Sequence, residues 1–206
     1  MLKGLFKKLL LLFVVLAVLG AGAAYYAVNQ IQQNLPQIIT LQDYKPLLTT
    51  QVYDRSGKKI GEFFRERRIL TPYDQMPKNL VNAFIAAEDD QFFQHKGVNY
   101  LAIMRAAIAN FQAGRKVQGG STITQQLAKT LLLQTNERTY MRKLREVFLA
   151  HKMEENLSKE DIIFLYLNQI YFGAGAHGVG VAAQTYFRKD IKDLKLSEMA
   201  ILAGLP

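Results

Sequence analysis

The sequence contains no cysteine, which excludes disulfide bonds as a source of stability and suits an exported domain that folds without them. No acidic residue occurs before Gln30, so every charge in that first segment is positive. Internal repeats, low-complexity tracts and Walker-type phosphate loops are also missing from the sequence. The 206 residues have room for one membrane anchor and one globular domain with a sizeable core.

An uncharged run of twenty residues extends from Leu9 to Val28. At about 1.5 Å rise per residue, a helix of that length covers the roughly 30 Å hydrocarbon core of a bilayer. Three lysines precede the run and place the N-terminus in the cytoplasm by the positive-inside bias: Lys3, Lys7 and Lys8. The sequence therefore predicts a cytoplasmic tail at 1–8 and a single-pass transmembrane anchor at 9–28.

A cleaved signal peptide is the alternative, with Leu9–Leu19 as its apolar region and Ala21–Ala23 as its cleavage site. The uncharged run continues well past Leu19, which favours the anchor, and both alternatives export the remainder. After the three lysines before Leu9 are set aside, 23 of the 26 Lys and Arg remain against 17 Asp and Glu, a net charge of +6. That charge suits anionic headgroups or a phosphorylated substrate, or simply solubility, and an exported domain does not normally meet nucleic acid.

Residues 29–70 predict a polar connector with a β-hairpin, and residues 71–206 predict a mainly helical domain. The hairpin pairs Gln51–Tyr53 with Lys59–Phe63 around a turn that contains Gly57. Beyond Pro77 the apolar residues recur at helical spacing, including one helix over ITQQLAKTLLL (123–133) and another over 139–156. Several residues are predicted to cap helices, namely Asn99, Gly114, Thr122 with Gln125, and Ser158. Ser197 is predicted to begin the last helix.

Three clusters carry candidate chemistry, and the first is EDDQFFQHKG, residues 88–97. Glu88 ends an apolar helix, where the negative end of the helix dipole favours a carboxylate that takes up a proton. The alternative is a fraying helix end with solvated charges, and His95 alone is more often structural than catalytic.

The second cluster is QGGSTITQQLAK, residues 118–129, in which glycines precede a hydroxyl-capped helix start. Exposed backbone N–H groups and the positive helix end can bind an anion such as phosphate, and Lys129 follows two turns later. An ordinary capping box after a flexible loop explains the same spacing equally well.

The third cluster is RTYMRKLRE, residues 138–146. Arg142 and Lys143 precede Glu146 by four and three positions, so the three side chains project from one helix surface. Spacing alone favours a solvated face with salt bridges over a binding site.

Together the motifs EDDQFFQHKG, GGSTITQQLAK, RKLREV, YLNQIYFGAGAHGVGVAAQTYF and LSEMAILAGLP resemble those of family 51 peptidoglycan glycosyltransferases. This family forms the glycan-polymerising domain of class A penicillin-binding proteins and of their monofunctional relatives. All five motifs occur in order between Glu88 and Pro206. Because relatives continue beyond the fifth motif, the resemblance predicts that residues 71–206 are a truncated domain.

The resemblance implies a lysozyme-like helical fold at the inner (cytoplasmic) membrane, with the catalytic domain on the periplasmic or extracellular side. It implies polymerisation of lipid II into β-1,4 glycan strands with release of undecaprenyl pyrophosphate. Glu88 is then the base for the acceptor's 4-hydroxyl, and Glu146 a second catalytic glutamate. Substrate binding falls to Asp89, Phe92, His95, Thr122, Gln126, Lys129, Arg142 and Lys143.

Lipid II, the growing glycan strand and membrane lipid are the expected partners, with other cell-wall synthesis proteins as further candidates. No ligand cluster in the sequence has diagnostic metal spacing, so a magnesium or manganese ion at the pyrophosphate, near Glu146, is only an optional cofactor. Two alternatives stay open: a lysozyme-like muramidase or lytic transglycosylase, and an inactive wall-binding scaffold module.

Overall fold

The computed structural model of the protein describes residues 2–38, 41, 43–46, 49–64, 66–135, 137 and 139–206. Parts of the predicted connector (39–40, 42 and 47–48) and Arg138 of the third cluster lie outside the described residues. The chain divides into two compact units, residues 1–36 and residues 37–206.

The first unit consists mainly of helix α1 (Leu2–Gln33). An apolar stretch within Lys7–Gln33 has a mean hydropathy of 2.3, so this helix is long and apolar enough to cross a membrane. The helix continues through residues 29–33, where the sequence predicts the connector, because no glycine or proline interrupts the chain before Pro36.

The second unit is mainly helical and includes a small antiparallel hairpin, which confirms the predicted fold class. Its elements, in chain order, are β1 (Thr50–Tyr53), β2 (Lys59–Phe63), β3 (Arg67–Arg68), a 3₁₀ turn (Tyr73–Gln75), α2 (Lys78–Glu88), α3 (Tyr100–Ala113), α4 (Ile123–Leu127), a π-helical segment (Ala128–Leu133), α5 (Tyr140–Asn156), α6 (Lys159–Gln169), β4 (Ala176–His177), α7 (Val179–Phe187), a second 3₁₀ turn (Ile191–Asp193) and α8 (Leu196–Ala203).

Polar side chains cap three helices at the predicted positions. Asn99 accepts from the backbone N–H of Ala102, while Thr122 and Ser158 each form a complete capping box. Gly114 ends α3 with φ of 62°, in the left-handed region that favours glycine. Helix α8 begins at Leu196, one residue before the predicted Ser197.

Helix α6 is the centre of the core and packs against α4, α5 and α7. Its buried residues face in several directions, which is typical of a helix enclosed by others: Ile162, Ile163, Leu165, Tyr166, Leu167 and Asn168. The Phe84 ring of α2 meets Tyr166 and Phe172 edge to face, with centroids 6.4 and 5.8 Å away. These contacts fix α2, whose last residue is Glu88, against the core.

The helix predicted over residues 123–133 is regular only as far as Leu127, and the remainder is π-helical. The Thr130 hydroxyl donates to the carbonyl oxygens of Gln126 and Leu127, at 3.0 and 3.3 Å. A side chain that occupies helix carbonyls competes with the regular backbone ladder, which accounts for the wider turn. Lys129 lies within this irregular segment.

A second two-stranded sheet pairs β3 with β4 in parallel, and this sheet was not predicted from the sequence. Two residues per strand are too few to show the alternation of apolar and polar residues that identifies a strand in a sequence. The pairing is supported by Arg68, which is 7% exposed and donates to the carbonyl oxygen of Asn168 over 2.9 Å. Asn168 in turn bonds the backbone of Thr71 with both ends of its amide, so the chain before α2 is fastened to α6.

We expect Gly97→Ala to destabilise the domain by about 2–4 kcal/mol. Gly97 has φ of +87°, and a Cβ there lies 2.7 Å from the carbonyl carbon and oxygen of Ala150. Gly114 is the matched control because its φ is also positive but no atom lies within 4 Å of its Cβ position. Gly114→Ala should lose only about 1 kcal/mol. Urea unfolding in detergent measures both, and equal losses contradict the steric argument.

Candidate active site

An open cleft of about 730 Å³ lies where the end of α2 meets the beginning of α4. Carboxylates line one part of it, and hydroxyl, amide and basic side chains line the rest. Its lining residues include Glu88, Asp89, Asp90, Asn99, Arg105, Lys116, Gln118, Gly119, Gly120, Ser121, Thr122, Gln126 and Lys129. A cleft with convergent polar groups of this kind is the usual form of a binding site.

Glu88 is half-buried in the cleft wall, and its Oε2 accepts a hydrogen bond of 2.7 Å from Gln126 Nε2. No other hydrogen bond to Glu88 is present within the described part of the chain, so Oε1 remains available. One oxygen is held in place and the other can accept a proton from a bound hydroxyl.

Asp89 is 7% exposed and joins three parts of the chain. Its carboxylate accepts from the backbone N–H of Ile123 at 3.0 Å, and from His95 Nε2 at 2.9 and 3.1 Å. Ile123 begins α4, so the charge also meets the positive end of that helix. Because its oxygens are engaged in this way, Asp89 positions α4 and its neighbour Glu88.

His95 is supported from the opposite side by Lys159, the first residue of α6. Lys159 Nζ donates to the His95 carbonyl oxygen over 2.8 Å and pairs with Glu154 over 2.7 Å. The same ammonium lies 4.4 Å from the centroid of the Phe92 ring, which is fully buried. The predicted residues Phe92 and His95 therefore lie behind the cleft, where they support Asp89.

Thr122 is only 1% exposed, and its hydroxyl is already engaged in both directions. It donates to the Gly97 carbonyl oxygen over 2.6 Å and accepts from the Gln125 N–H over 3.1 Å. In this structure Thr122 caps α4 and ties it to the loop before α3. Its predicted role in substrate binding remains a prediction.

Glu146 is 2% exposed, and its two oxygens are shared between Arg142 and Lys143. Lys143 Nζ lies 2.9 Å from Glu146 Oε2 and 2.7 Å from the hydroxyl of Ser121, a residue of the cleft wall. Arg142 Nε is buried and has no hydrogen-bond partner among the described residues. Glu146 thus holds two cations beside the cleft and is not itself exposed to a ligand.

Four basic residues, Lys116, Lys129, Arg142 and Lys143, form a cationic cluster. Burial, together with the charges of Arg142, Lys129 and Lys116, lowers the pKa of Lys143 to about 8, although the Glu146 contact favours the charged form. Lys116 lines both the cleft and an adjoining pocket formed with Thr139, Tyr140, Arg142 and Lys143. An excess of cations around one carboxylate is arranged to receive an anion.

A divalent cation does not fit Glu146 as it stands, because both carboxylate oxygens already accept from Arg142 and Lys143. Among the described residues there is no group of three or more His, Asp or Glu side chains that could hold a metal ion. We therefore assign no step of the chemistry to a metal.

Five of the predicted residues line the cleft, and Lys143 reaches it through Ser121: Glu88, Asp89, Thr122, Gln126 and Lys129. Sequence reasoning missed Ser121 and Lys116, although both occur within or beside the glycine-rich loop that it singled out. It also missed Tyr166, whose hydroxyl donates to Gln126 Oε1 over 3.3 Å. No local pattern marks Tyr166, because it looks like any buried aromatic residue of a core helix.

The cleft thus holds a carboxylate with one free oxygen together with the basic side chains of Arg105, Lys116 and Lys129. A family profile described as Transglycosylase matches residues 56–206 of the chain. The chain therefore belongs to the transglycosylase family, in agreement with the resemblance of its five motifs.

The chain is similar to several proteins called penicillin-binding protein 1A. It is 46% identical to that of Escherichia coli (strain K12) over 200 residues, which cover 97% of this chain and 23% of the relative. The protein of Aquifex aeolicus is 49% identical over 176 residues, or 85% of this chain and 24% of the relative. A crystal structure of the Haemophilus influenzae protein covers 79% of this chain and 14% of its own, with 26% identity and a TM-score of 0.35. The chain thus spans about a quarter of the length of these curated relatives.

Asp89→Asn should destabilise the domain by about 1–3 kcal/mol, because an amide offers one acceptor where the carboxylate serves both His95 and the Ile123 N–H. Asp90→Asn is the matched control, since the neighbouring carboxylate is exposed. Its effect should stay within about 0.5 kcal/mol. Urea midpoints of the two variants test this, and a stable Asp89→Asn protein shows that Asp89 does not anchor α4.

Proposed function

We propose that this chain polymerises lipid II into β-1,4-linked glycan at a membrane surface. The observation that carries the proposal is the free oxygen of Glu88 in a cleft that also presents Lys129 and, through Ser121, Lys143. Membership of the transglycosylase family supports the same assignment.

In the proposed reaction Glu88 takes the proton of the acceptor's 4-hydroxyl as that oxygen attacks the anomeric carbon of the donor. The bond from this carbon to the pyrophosphate oxygen breaks, and its electron pair leaves with undecaprenyl pyrophosphate. A single displacement of this kind inverts the configuration and gives the β linkage. Gln126, bonded to Glu88 at 2.7 Å, keeps the base oriented towards the acceptor.

The leaving group is already a strong anion, so it needs cations and no proton donor. Lys129, Arg142 and Lys143 supply charge that is fixed before the substrate arrives, and such preorganisation is usually the largest contribution to catalysis. A hydrolase of glycosidic bonds needs an acid and often a second free carboxylate. Asp89 is unsuited to that role, because His95 and the Ile123 N–H engage its oxygens. No observation among the described residues favours the scaffold alternative.

Two features support membrane association, one in each of the two units. Helix α1 is apolar enough to serve as an anchor, with Lys7 and Lys8 on its cytoplasmic side. Helix α3 exposes apolar side chains at helical spacing, which suits contact with membrane lipid: Leu101, Met104, Ile108 and Phe111. The lipid-linked substrate and the enzyme then share one inner membrane, with the catalytic unit on its outer side.

Glu88→Gln tests the base directly. The amide keeps an oxygen for the Gln126 contact but cannot take a proton, so polymerisation of labelled lipid II should fall by at least about 100-fold. Glu155→Gln, an exposed change near the end of α5, is the control and should keep the wild-type rate. Polymer formed at the normal rate by Glu88→Gln refutes this assignment, and release of muropeptides from purified sacculi by the unaltered protein indicates a hydrolase instead.

Lys143 makes substrate affinity depend on pH. Because its pKa is about 8, the ammonium is present below that pH and is lost as the pH rises through it. The KM for lipid II should therefore rise by about tenfold between about pH 7 and about pH 9.5.

Lys143→Arg keeps its charge over that range and should show a nearly constant KM. Lys152→Arg changes an exposed lysine of the same helix and should behave like the wild type. If Lys143→Arg retains the wild-type pH dependence, Lys143 is not the group whose proton is lost.

A further inference from the structure

The side chain of Gln126 bridges Glu88 and the phenol of Tyr166. Gln126 Nε2 donates to Glu88 Oε2 over 2.7 Å, and Gln126 Oε1 accepts from the Tyr166 hydroxyl over 3.3 Å. A carboxamide has one donor end and one acceptor end, so both contacts form only when the amide is turned in one direction. The carboxylate, which only accepts, and the phenol, which has a proton to donate, therefore favour the same orientation, with the N–H end of Gln126 towards Glu88.

Tyr166 has no alternative use for its hydroxyl proton. The side chain is 1% exposed, and Gln126 Oε1 is the only acceptor for that proton within the described part of the chain. If the amide turned over, the phenol proton would be buried without a partner, which is unfavourable. Burial, with the nearby charges of Glu88 and Asp89, also raises the pKa of Tyr166, so the phenol stays protonated and donates.

The ring of Tyr166 is fixed by the same helix that carries the base. Phe84 precedes Glu88 by one helical turn on α2 and meets the Tyr166 ring edge to face at 6.4 Å. Gln126 is fixed by α4, which packs on α6. Glu88, Gln126 and Tyr166 are therefore held on three helices that cannot shift independently.

We propose that Tyr166 is a positioning residue for Glu88, acting through Gln126 to keep an N–H donor on the carboxylate. The donor stabilises the ionised base, which is the form that accepts the proton. This inference rests on the proposed function, because it concerns the base of that reaction. It assigns to Tyr166 a role in catalysis without contact to substrate.

Other charged groups also line the cleft beside Glu88. Asp89 and Asp90 directly follow Glu88 in the chain. The basic residues are Arg105 on α3, Lys116 in the loop after α3 and Lys129 in the π-helical segment after α4. None of them hydrogen-bonds Gln126, so a change at Tyr166 leaves them in place and acts only through the amide.

The test is the pH profile of kcat/KM for lipid II polymerisation by the Tyr166→Phe chain in detergent. Without the phenol the amide can turn its oxygen to accept from a protonated Glu88, so the acid limb should move to higher pH by about one unit. At alkaline pH, where Glu88 is ionised in either case, the rate should approach that of the wild type. A defect in folding lowers the rate at every pH and does not move the limb.

Tyr186→Phe is the matched control, because the Tyr186 hydroxyl also donates to a protein carbonyl, that of Phe172, at 2.7 Å. Tyr186 does not line the cleft, and the acid limb of this variant should stay at the wild-type pH. The proposal is overturned if Tyr166→Phe keeps the wild-type limb, or if Tyr186→Phe shifts it equally.

Gln126→Met is a second variant. It leaves Tyr166 unchanged, so it is informative even if Tyr166→Phe unfolds the core. It deletes the donor to Glu88 and should move the acid limb in the same direction, and an unmoved limb overturns the proposal. Failure of the proposed function is distinguishable, because then the unaltered chain makes no polymer or Glu88→Gln makes it normally. The proposed role of Tyr166 alone is refuted when the unaltered chain is active, Glu88→Gln is inactive and the acid limb of Tyr166→Phe does not move.

Discussion

The Asp89 carboxylate is the contact on which the rest of the site depends. It follows the last residue of α2, accepts the first free N–H of α4 and binds His95, all at 7% exposure. A buried charge is stable only when it is fully hydrogen-bonded, so these partners cannot be lost one at a time without a large penalty. Because α4 begins at this point, the same contact sets where Gln126 lies, one turn later, opposite Glu88. The position of Glu88, the proposed base, is thus a consequence of how a neighbouring charge is hydrogen-bonded.

A second buried carboxylate, Glu146, organises the basic residues beside the cleft by the same principle. Glu146 neutralises one of the two cations that it holds, so the pair Arg142 and Lys143 keeps a net positive charge, to which Lys129 and Lys116 add. Burial of Lys143 and repulsion among these cations are both unfavourable, as the lowered pKa of Lys143 indicates. An anion removes that repulsion when it binds. A multiply charged anion, such as the proposed pyrophosphate, therefore gains more from this cluster than a neutral sugar does.

Much of the fold could be predicted from the sequence because caps and turns are local. Asn99, Gly114, the Thr122–Gln125 box and the hairpin follow from chemistry within a few residues, and the structure confirms them. The π-helical segment depends on the Thr130 hydroxyl, and the β3–β4 pair joins positions more than a hundred residues apart, so neither has a local signal. The site divides in the same way. The resemblance of the five motifs pointed to Glu88, Lys129, Arg142 and Lys143, whereas the Ser121 and Tyr166 contacts arise only from packing.

The two carboxylates at the end of α2 have different surroundings, which suit one to the proposed reaction and the other to a structural role. Glu88 and Asp89 are adjacent and chemically alike, yet Asp89 has its oxygens engaged and Glu88 has one oxygen free. An ionised base must be stabilised enough to exist near neutral pH but not so fully bonded that it cannot accept a proton. A single amide donor, itself oriented by a buried phenol, meets both conditions. Since the proposed leaving group carries its own charge, no second free carboxylate is needed, and the neighbouring one is available to hold the scaffold.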